Sequence, residues 1–410
     1  MKKTIKLFQK NVNYLVFFIL IIVISAEIIT LIDFKLGSSR TTLSIEEYAK
    51  QVIEKCKNEN YKPSCYDKII PQLMEKPVNM SMEDAFRLTS LVQETDTSYK
   101  YCHVLGHALA AQEVKKDPSK WKEVVARIPS GICSNGGIHG GFQERFRTDH
   151  FVSEKEINAL IPDLKIICEK KESWNPTGLE QASCYHALGH LTMYITNADI
   201  DKSISICNVI AKKNGGIDYT QLCYDGVFMQ IFQPLEPEDL ALIKGKAPTK
   251  ENLLLFCNKF TGAQRGSCIT ESWPLFHDLF SSSKNIVQFC SMENSDQIDR
   301  CYHAITYVMV PMLNLDSSKI TPMCNSFPEK RIAVCFADVA ARLIEIDYRN
   351  IHQAINVCKE AGNFGDLCFQ NLIYNAKFNF HSGSIQNIDL CNTMPDSWKN
   401  KCIDFNSLKK

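Results

Sequence analysis

The chain has 410 residues, 45% of them hydrophobic, and its 46 basic residues are balanced by 46 acidic ones. This length and apolar content allow a substantial core, and the neutral balance argues against a nucleic-acid-binding protein, which would carry a basic excess. The 18 cysteines are the unusual number: they would indicate metal or redox sites in a reducing compartment and a disulfide framework in an exported protein.

The N-terminus indicates export. Lys2, Lys3, Lys6 and Lys10 precede the apolar run YLVFFILIIVISA at 14–26, and no acidic residue lies among the first ten. We expect residues 1–37 to be a cytoplasmic start followed by a membrane anchor or a signal peptide. Either 14–32 forms a single membrane helix, with the C-terminal body outside the cytoplasm, or cleavage after Ala26 secretes that body. In both cases the cysteines meet an oxidising environment.

Residues 38–160 are predicted to form an N-terminal helical region that contains histidines and glycines. The segments YCHVLGHALA, beginning at Tyr101, and SNGGIHGGFQERF, beginning at Ser134, both lie in this region. Its cysteines do not follow a fixed period. The nearest partners predict the pairs Cys56–Cys65 and Cys102–Cys133, and the second is the least regular pair in the chain.

Residues 161–410 are predicted to be disulfide-stapled helical repeats. The second members of successive cysteine pairs recur at intervals of 33 or 34 from Cys268 to Cys402, a period typical of repeat architectures. Each unit reads as helix, polar turn and helix, so the predicted fold is an all-α solenoid of α/α hairpins with one disulfide per repeat. The predicted pairs here are Cys168–Cys184, Cys207–Cys223, Cys257–Cys268, Cys290–Cys301, Cys324–Cys335, Cys358–Cys368 and Cys391–Cys402. Thiolate metal sites are disfavoured because the chain has no Cys-x-x-Cys pair.

These units resemble the secreted, cysteine-rich Sel1-like repeats of the tetratricopeptide class. The resemblance covers about residues 160–405, and Leu188, Gly189 and His190 match the Leu-Gly of a Sel1-like second helix. It implies a helical-hairpin architecture and a general binding role, and it implies no active site.

Two histidine pairs at helical i, i+4 spacing are candidate metal ligands. His103 and His107 align with His186 and His190 when the two LGH segments are superimposed, and His139 lies between glycines. These five histidines could converge on one or two divalent ions such as zinc, with Glu144 or Asp149 as a carboxylate ligand. The alternative is that they hydrogen-bond backbone carbonyls between stacked helices.

Helical periodicity separates the second helix of each unit into two faces. The cysteine face packs within the unit, whereas the opposite face varies from unit to unit and carries His303, Tyr307 and Tyr374. A varied face in a stacked array is where a binding groove would form. The sequence therefore leaves two functions open. The first is a membrane-anchored module that binds an extracellular protein, peptide or glycan. The second is a histidine-based metal-binding protein or metalloenzyme, for which no catalytic residue can be named.

Overall fold

The structure is a computed structural model that describes residues 43–147, 153–172, 174–212, 217–234, 237–280 and 283–407. Within these ranges the chain is all-α, with 21 α-helices, five short 3-10 helices and no β-strand. The predicted membrane segment, 14–32, lies outside the described residues. None of the helices in the described part is both long and apolar enough to cross a membrane.

The helices alternate with short connections along the whole described chain. In order, they are α1 Ile45–Cys56, α2 Lys62–Gln72, α3 Met82–Thr95, α4 His103–Lys116, α5 Trp121–Arg127, α6 Gly136–Arg147, α7 Glu154–Ile167, α8 Gly178–Ile195, α9 Ile200–Ile210, α10 Thr220–Phe232 and α11 Pro237–Leu242. They continue as α12 Leu253–Cys257, α13 Gly262–Glu271, α14 Ser283–Cys290, α15 Ile298–Met312, α16 Ser317–Asn325, α17 Glu329–Ile346, α18 Ile351–Glu360, α19 Gly365–Asn379, α20 Ile385–Thr393 and α21 Asp396–Ser407. Contacts divide the chain into residues 1–48 and 49–410, and the features that follow belong to the second unit. The predicted boundary at residue 160 stays a prediction.

Polar residues in the sequence set many of the helix starts. Thr177 begins α8 with a capping box, in which its hydroxyl accepts from the Glu180 amide and the Glu180 carboxylate accepts from the Thr177 amide. Asp199 caps α9 in the simpler way, by accepting from the amide of Lys202. Such caps satisfy amides that have no partner within the helix, and they therefore fix where each hairpin begins.

All nine predicted disulfides are confirmed, and the described chain has no free cysteine. Eight of them join the two helices of one hairpin, as expected. The Cys102–Cys133 disulfide differs, because it joins the start of α4 to the 3-10 turn that precedes α6. Disulfides in this number indicate an oxidising, extracytoplasmic environment.

The second helices of successive hairpins pack side by side and form an inner layer. Starting from α8, the order of contacts is α8–α10–α13–α15–α17–α19–α21, and α4 and α6 pack before α8 in the same layer. Apolar and cysteine side chains of these helices are buried, as Cys184, Leu188 and Leu191 of α8 illustrate. The helical repeat expected from the sequence is therefore present in this part of the chain.

The array turns back on itself, so that helices far apart in sequence meet. Arg349 donates to the carbonyl oxygen of Ser90 at 3.1 Å and pairs with Glu94 at 2.7 Å. Arg342 of α17 donates to the hydroxyl of Ser134 at 3.0 Å, and α19 packs against α8. These contacts join α3, the turn before α6, and α8 to the later repeats.

Candidate functional site

The five candidate histidines come together in one cluster within the inner layer. Their ring centroids lie 4.9 Å apart for His103 and His107 on α4, and 5.0 Å apart for His186 and His190 on α8. The His139 ring on α6 lies between the two pairs, 5.2–5.8 Å from each of the other four. The four histidines that align on LGH therefore lie in one cluster with His139.

Glycines allow close approach of α6 to α4 and of α8 to α10. A Cβ atom on Gly140 of α6 would lie 2.5 Å from the Cα of His107 on α4. A Cβ atom on Gly189 of α8 would lie 2.9 Å from the Cα of Gly226 on α10. Because real Cβ atoms do not approach other atoms within 3.0 Å, any larger residue would push these helices apart. Glycine at these two positions therefore permits the close contacts of α6 with α4 and of α8 with α10.

The cluster divides into two triads that share His139. The first contains His103, His107 and His139, and the second His139, His186 and His190; within each triad the three candidate ligand atoms lie within 4.8 Å of one another. The Nε2 atoms of His103 and His107 are 3.2 Å apart, and those of His186 and His190 are also 3.2 Å apart. Two nitrogens bound tetrahedrally at about 2.05 Å from zinc lie about 3.3 Å apart. Each pair therefore has the spacing of two ligands on one tetrahedral ion.

Oxygen atoms of neighbouring groups lie beside the Nδ1 atom of two of these rings. The Nδ1 atom of His103 lies 3.3 Å from the carbonyl oxygen of Cys133, and the Nδ1 atom of His190 lies 2.8 Å from the Oε1 atom of Gln230. An oxygen acceptor selects the tautomer with hydrogen on Nδ1, which leaves a lone pair on Nε2. Outer hydrogen bonds of this kind orient histidine ligands in metal sites.

Burial keeps the five imidazoles neutral. It lowers the pKa of every ring in the cluster, and it lowers the pKa of His103 to about 4. Neighbouring cationic forms would repel one another, and this repulsion lowers the pKa of His107 and His139 further. At neutral pH these rings therefore offer lone pairs, the form that binds a metal ion.

His139 has an unsatisfied nitrogen. Its side chain is 9% exposed, and within the described part of the chain its Nδ1 atom is buried without a hydrogen-bond partner. A buried polar atom without a partner costs about 1–3 kcal/mol, so such atoms are rare unless they have a role. The unsatisfied atom belongs to the one ring that both triads share.

A small cavity of about 20 Å³ adjoins the cluster, which is enough room for about one water molecule. His107, His139 and His190 line it, together with Met229 and Gln230 of α10. A coordination position on an ion in this cluster could therefore be filled from the cavity.

Several side chains around the cavity were not anticipated from the sequence. The Tyr194 hydroxyl donates to the Asp239 carboxylate, and the Nε2 amide of Gln143 lies 3.0 Å from the same hydroxyl. Asp239 belongs to the inserted connection after α10, and nothing in its local sequence signals that it approaches α8. Met229 did carry a signal, because it is the sixth residue after Cys223, as His190 is the sixth residue after Cys184.

The predicted carboxylate ligands are not part of the triads. Neither triad includes Glu144, and Asp149 lies outside the described residues. Candidate ligands in the described chain are therefore imidazoles in both halves of the cluster.

The predicted binding face is spread over two helices. His303 and Tyr307 lie on α15 with ring centroids 4.4 Å apart, and the Nδ1 atom of His303 contacts Asp338 at 2.9 Å. Burial raises the pKa of Tyr307, and the Arg342 guanidinium lies over its ring. Tyr374 lies on α19 and is 66% exposed. The structure places His303 beside Tyr307, and a role of the three residues in binding stays a prediction.

No protein-family model, curated protein or solved structure matches this chain, and the resemblance to Sel1-like repeats therefore stays one of helical-repeat architecture.

Proposed function

We propose that this protein binds transition-metal ions outside the cytoplasm, at the cluster of five histidines. The single observation that carries the proposal is the pairing of Nε2 atoms at 3.2 Å on two helices, with the His139 ring between the pairs. Up to two ions would be held, one in each triad, and His139 would be a ligand they share, as an imidazolate that has lost its N–H proton to solvent and binds one ion through each ring nitrogen.

The number of available protons favours a metal over a purely structural network. A neutral imidazole has one N–H donor. His103 and His190 each have an oxygen acceptor beside Nδ1, so their Nε2 atoms present lone pairs to the neighbouring ring. The alternative is an imidazole–imidazole hydrogen bond within each pair, which still leaves Nδ1 of His139 without a partner.

The donor set indicates which ions would bind. Imidazole ligands suit zinc, copper, nickel and iron, whereas magnesium and calcium prefer oxygen. Three histidines would leave a fourth position on a tetrahedral ion, and the cavity at Met229 and Gln230 adjoins the cluster. An open position of this kind is what ligand binding or hydrolysis at a metal requires, and we propose metal binding without naming a reaction.

The test measures metal content and affinity on the purified full-length protein. The protein is stripped with a chelator, reloaded with Zn²⁺, and analysed by elemental analysis and by competition with a chromophoric chelator. We expect up to two zinc ions per chain, and Zn²⁺ at about 100 times its Kd should raise the free energy of unfolding by about 2.7 kcal/mol.

Two variants separate the site from unspecific binding. His139→Gln should weaken the binding of both ions, because both triads lose a ligand. His303→Gln, which replaces a histidine outside the cluster, should leave stoichiometry and affinity unchanged. The proposal is wrong if the wild-type protein binds no zinc, copper or nickel and if these ions leave its unfolding unchanged.

The partner-binding function expected from the sequence stays a prediction. An exposed tyrosine on α19 is compatible with it, but exposure of one aromatic residue does not define a partner. The histidine cluster is the more specific observation.

A further inference from the structure

We propose that the two halves of the histidine cluster differ, and that Met229 completes a copper(I) site with His139, His186 and His190. This inference rests on the proposed metal-binding function and assigns a metal to one half of the site. The sulfur donor comes from α10, which packs beside α8, the helix that carries His186 and His190.

The position of Met229 has the geometry of a ligand. Its Sδ atom lies 3.3 Å from the Nε2 atom of His186, the same atom that lies 3.2 Å from Nε2 of His190. With a metal–nitrogen distance of about 2.05 Å and a metal–sulfur distance of about 2.3 Å, a tetrahedral ion separates the two donors by about 3.5 Å. The separations from Nε2 of His186 to the Met229 sulfur and to Nε2 of His190 are therefore both close to those between two donors of one coordination sphere.

The backbone holds Met229 in this position. The Cα atom of Gly226 lies against Gly189, so that α10 packs on α8 at the level of His186 and His190. Gln230, the residue after Met229, is 3% exposed, and its Oε1 atom lies 2.8 Å from Nδ1 of His190. Two consecutive residues of α10 thus contact the same pair of histidines: Met229 contacts Nε2 of His186, and Gln230 contacts Nδ1 of His190.

The other half of the cluster offers different partners. His103 and His107 contact each other, backbone groups of Cys133 and Ser134 hydrogen-bond His103, and the Gln143 side chain hydrogen-bonds His107. Thioether sulfur is a soft donor that favours copper(I), whereas a set of imidazoles also suits zinc. The half with Met229 should therefore prefer copper(I) to zinc, whereas the half with His103 and His107 should bind zinc as readily as copper(I).

The experiment compares Cu(I) and Zn(II) on three forms of the full-length protein: wild type, Met229→Leu and Met394→Leu. Leucine is close to methionine in volume, and Met394, which is 4% exposed in the last repeat, is the matched control. Cu(I) is supplied anaerobically as its acetonitrile complex and competed with bicinchoninate, so that no thiol reductant opens the disulfides. Zn(II) is measured separately by competition with a chromophoric chelator.

We expect Met229→Leu to weaken Cu(I) binding by at least about tenfold, the lower end of what the loss of an outer hydrogen-bond partner costs a metal site. Its Zn(II) affinity should be unchanged, and Met394→Leu should match the wild type for both ions. X-ray absorption at the copper edge should show sulfur bound to Cu(I) in the wild type and only nitrogen or oxygen in Met229→Leu.

The outcomes distinguish the two proposals. If the wild type binds neither ion, the metal-binding function itself is wrong. If it binds zinc but Met229→Leu retains full Cu(I) affinity, only the copper assignment is overturned. If Met229→Leu loses both ions because the site is disturbed, the wild-type absorption spectrum decides, and copper without a sulfur ligand overturns the assignment.

Discussion

Replacing Gly140 by alanine tests whether the close approach of α4 and α6 forms the histidine cluster. Alanine is a better helix former than glycine by about 1 kcal/mol, so helix propensity alone predicts a more stable protein. The new Cβ, however, would lie 2.5 Å from the Cα of His107, about 1 Å inside the normal contact distance between carbon atoms. The obstruction is backbone, which cannot rotate away as a side chain can.

The two effects have different magnitudes. Overpacking a well-packed core costs about 1–3 kcal/mol, which exceeds the gain in helix propensity. We therefore expect Gly140→Ala to lower the free energy of unfolding by up to about 2 kcal/mol. A shift of α6 of about 1 Å also exceeds the tolerance of about 0.2 Å on metal–ligand distances, so zinc affinity should fall by at least about tenfold.

Chemical denaturation and zinc competition measure the two effects on the same preparations. Gly141→Ala is the matched control, since it makes the same change on the same helix but places the Cβ 3.0 Å from a methyl group of the Val125 side chain, which can yield. That variant should retain its zinc affinity. A Gly140→Ala protein as stable as the wild type and with unchanged zinc affinity would refute the reasoning.

Three further predictions concern the surroundings of the cluster and the fold. Gln230→Leu removes the hydrogen-bond acceptor at Nδ1 of His190 and should weaken metal binding by about 10–100-fold. Gln221→Leu, on the same helix, should leave the affinity unchanged, and equal affinities of the two variants in a competition titration would contradict this. Replacing both cysteines of a disulfide by alanine should lower the free energy of unfolding by about 3.7 kcal/mol for Cys102–Cys133 and by about 2.8 kcal/mol for Cys324–Cys335, because the first disulfide closes the longer loop. Only the Cys102–Cys133 variant should lose zinc affinity. Urea titrations that give the reverse order of stability would contradict this. Burial raises the pKa of Glu293 from 4.5 to about 7 despite the nearby Arg265. Its protonated form is therefore favoured by folding, and the free energy of unfolding should decrease from pH 4.5 through pH 7 in the wild type but less in Glu293→Gln; parallel pH profiles would contradict this.

The sequence predicted those features that depend on local pattern. The 33- and 34-residue intervals identified the helical hairpins and the disulfides, because each pair closes a short loop within one unit. The i, i+4 spacing of His186 and His190 placed both rings on one helix face, which the contact between their Nε2 atoms reflects. Periodicity therefore sufficed wherever the interacting residues lie within one hairpin.

The remaining features depend on contacts between distant segments. The pairing of Arg349 with Glu94 joins residues 255 positions apart, and no local pattern encodes it. Asp239 reaches the Tyr194 hydroxyl from a connection that breaks the repeat, so its position follows from how the insertion folds back. Met229 could have been recognised as a candidate ligand, since it occupies the position of His190 one repeat later, but its sulfur gains meaning only when α10 is placed on α8.

The Cys102–Cys133 disulfide has a consequence for the order in which the protein matures. It joins the residue before His103 to the residue whose carbonyl oxygen contacts the His103 ring. A newly made chain with reduced thiols lacks this constraint, so we expect the first triad to assemble fully only after oxidation. Metal acquisition at that triad would then follow export in time, and a chain retained in a reducing compartment would stay unloaded even where the ion is abundant.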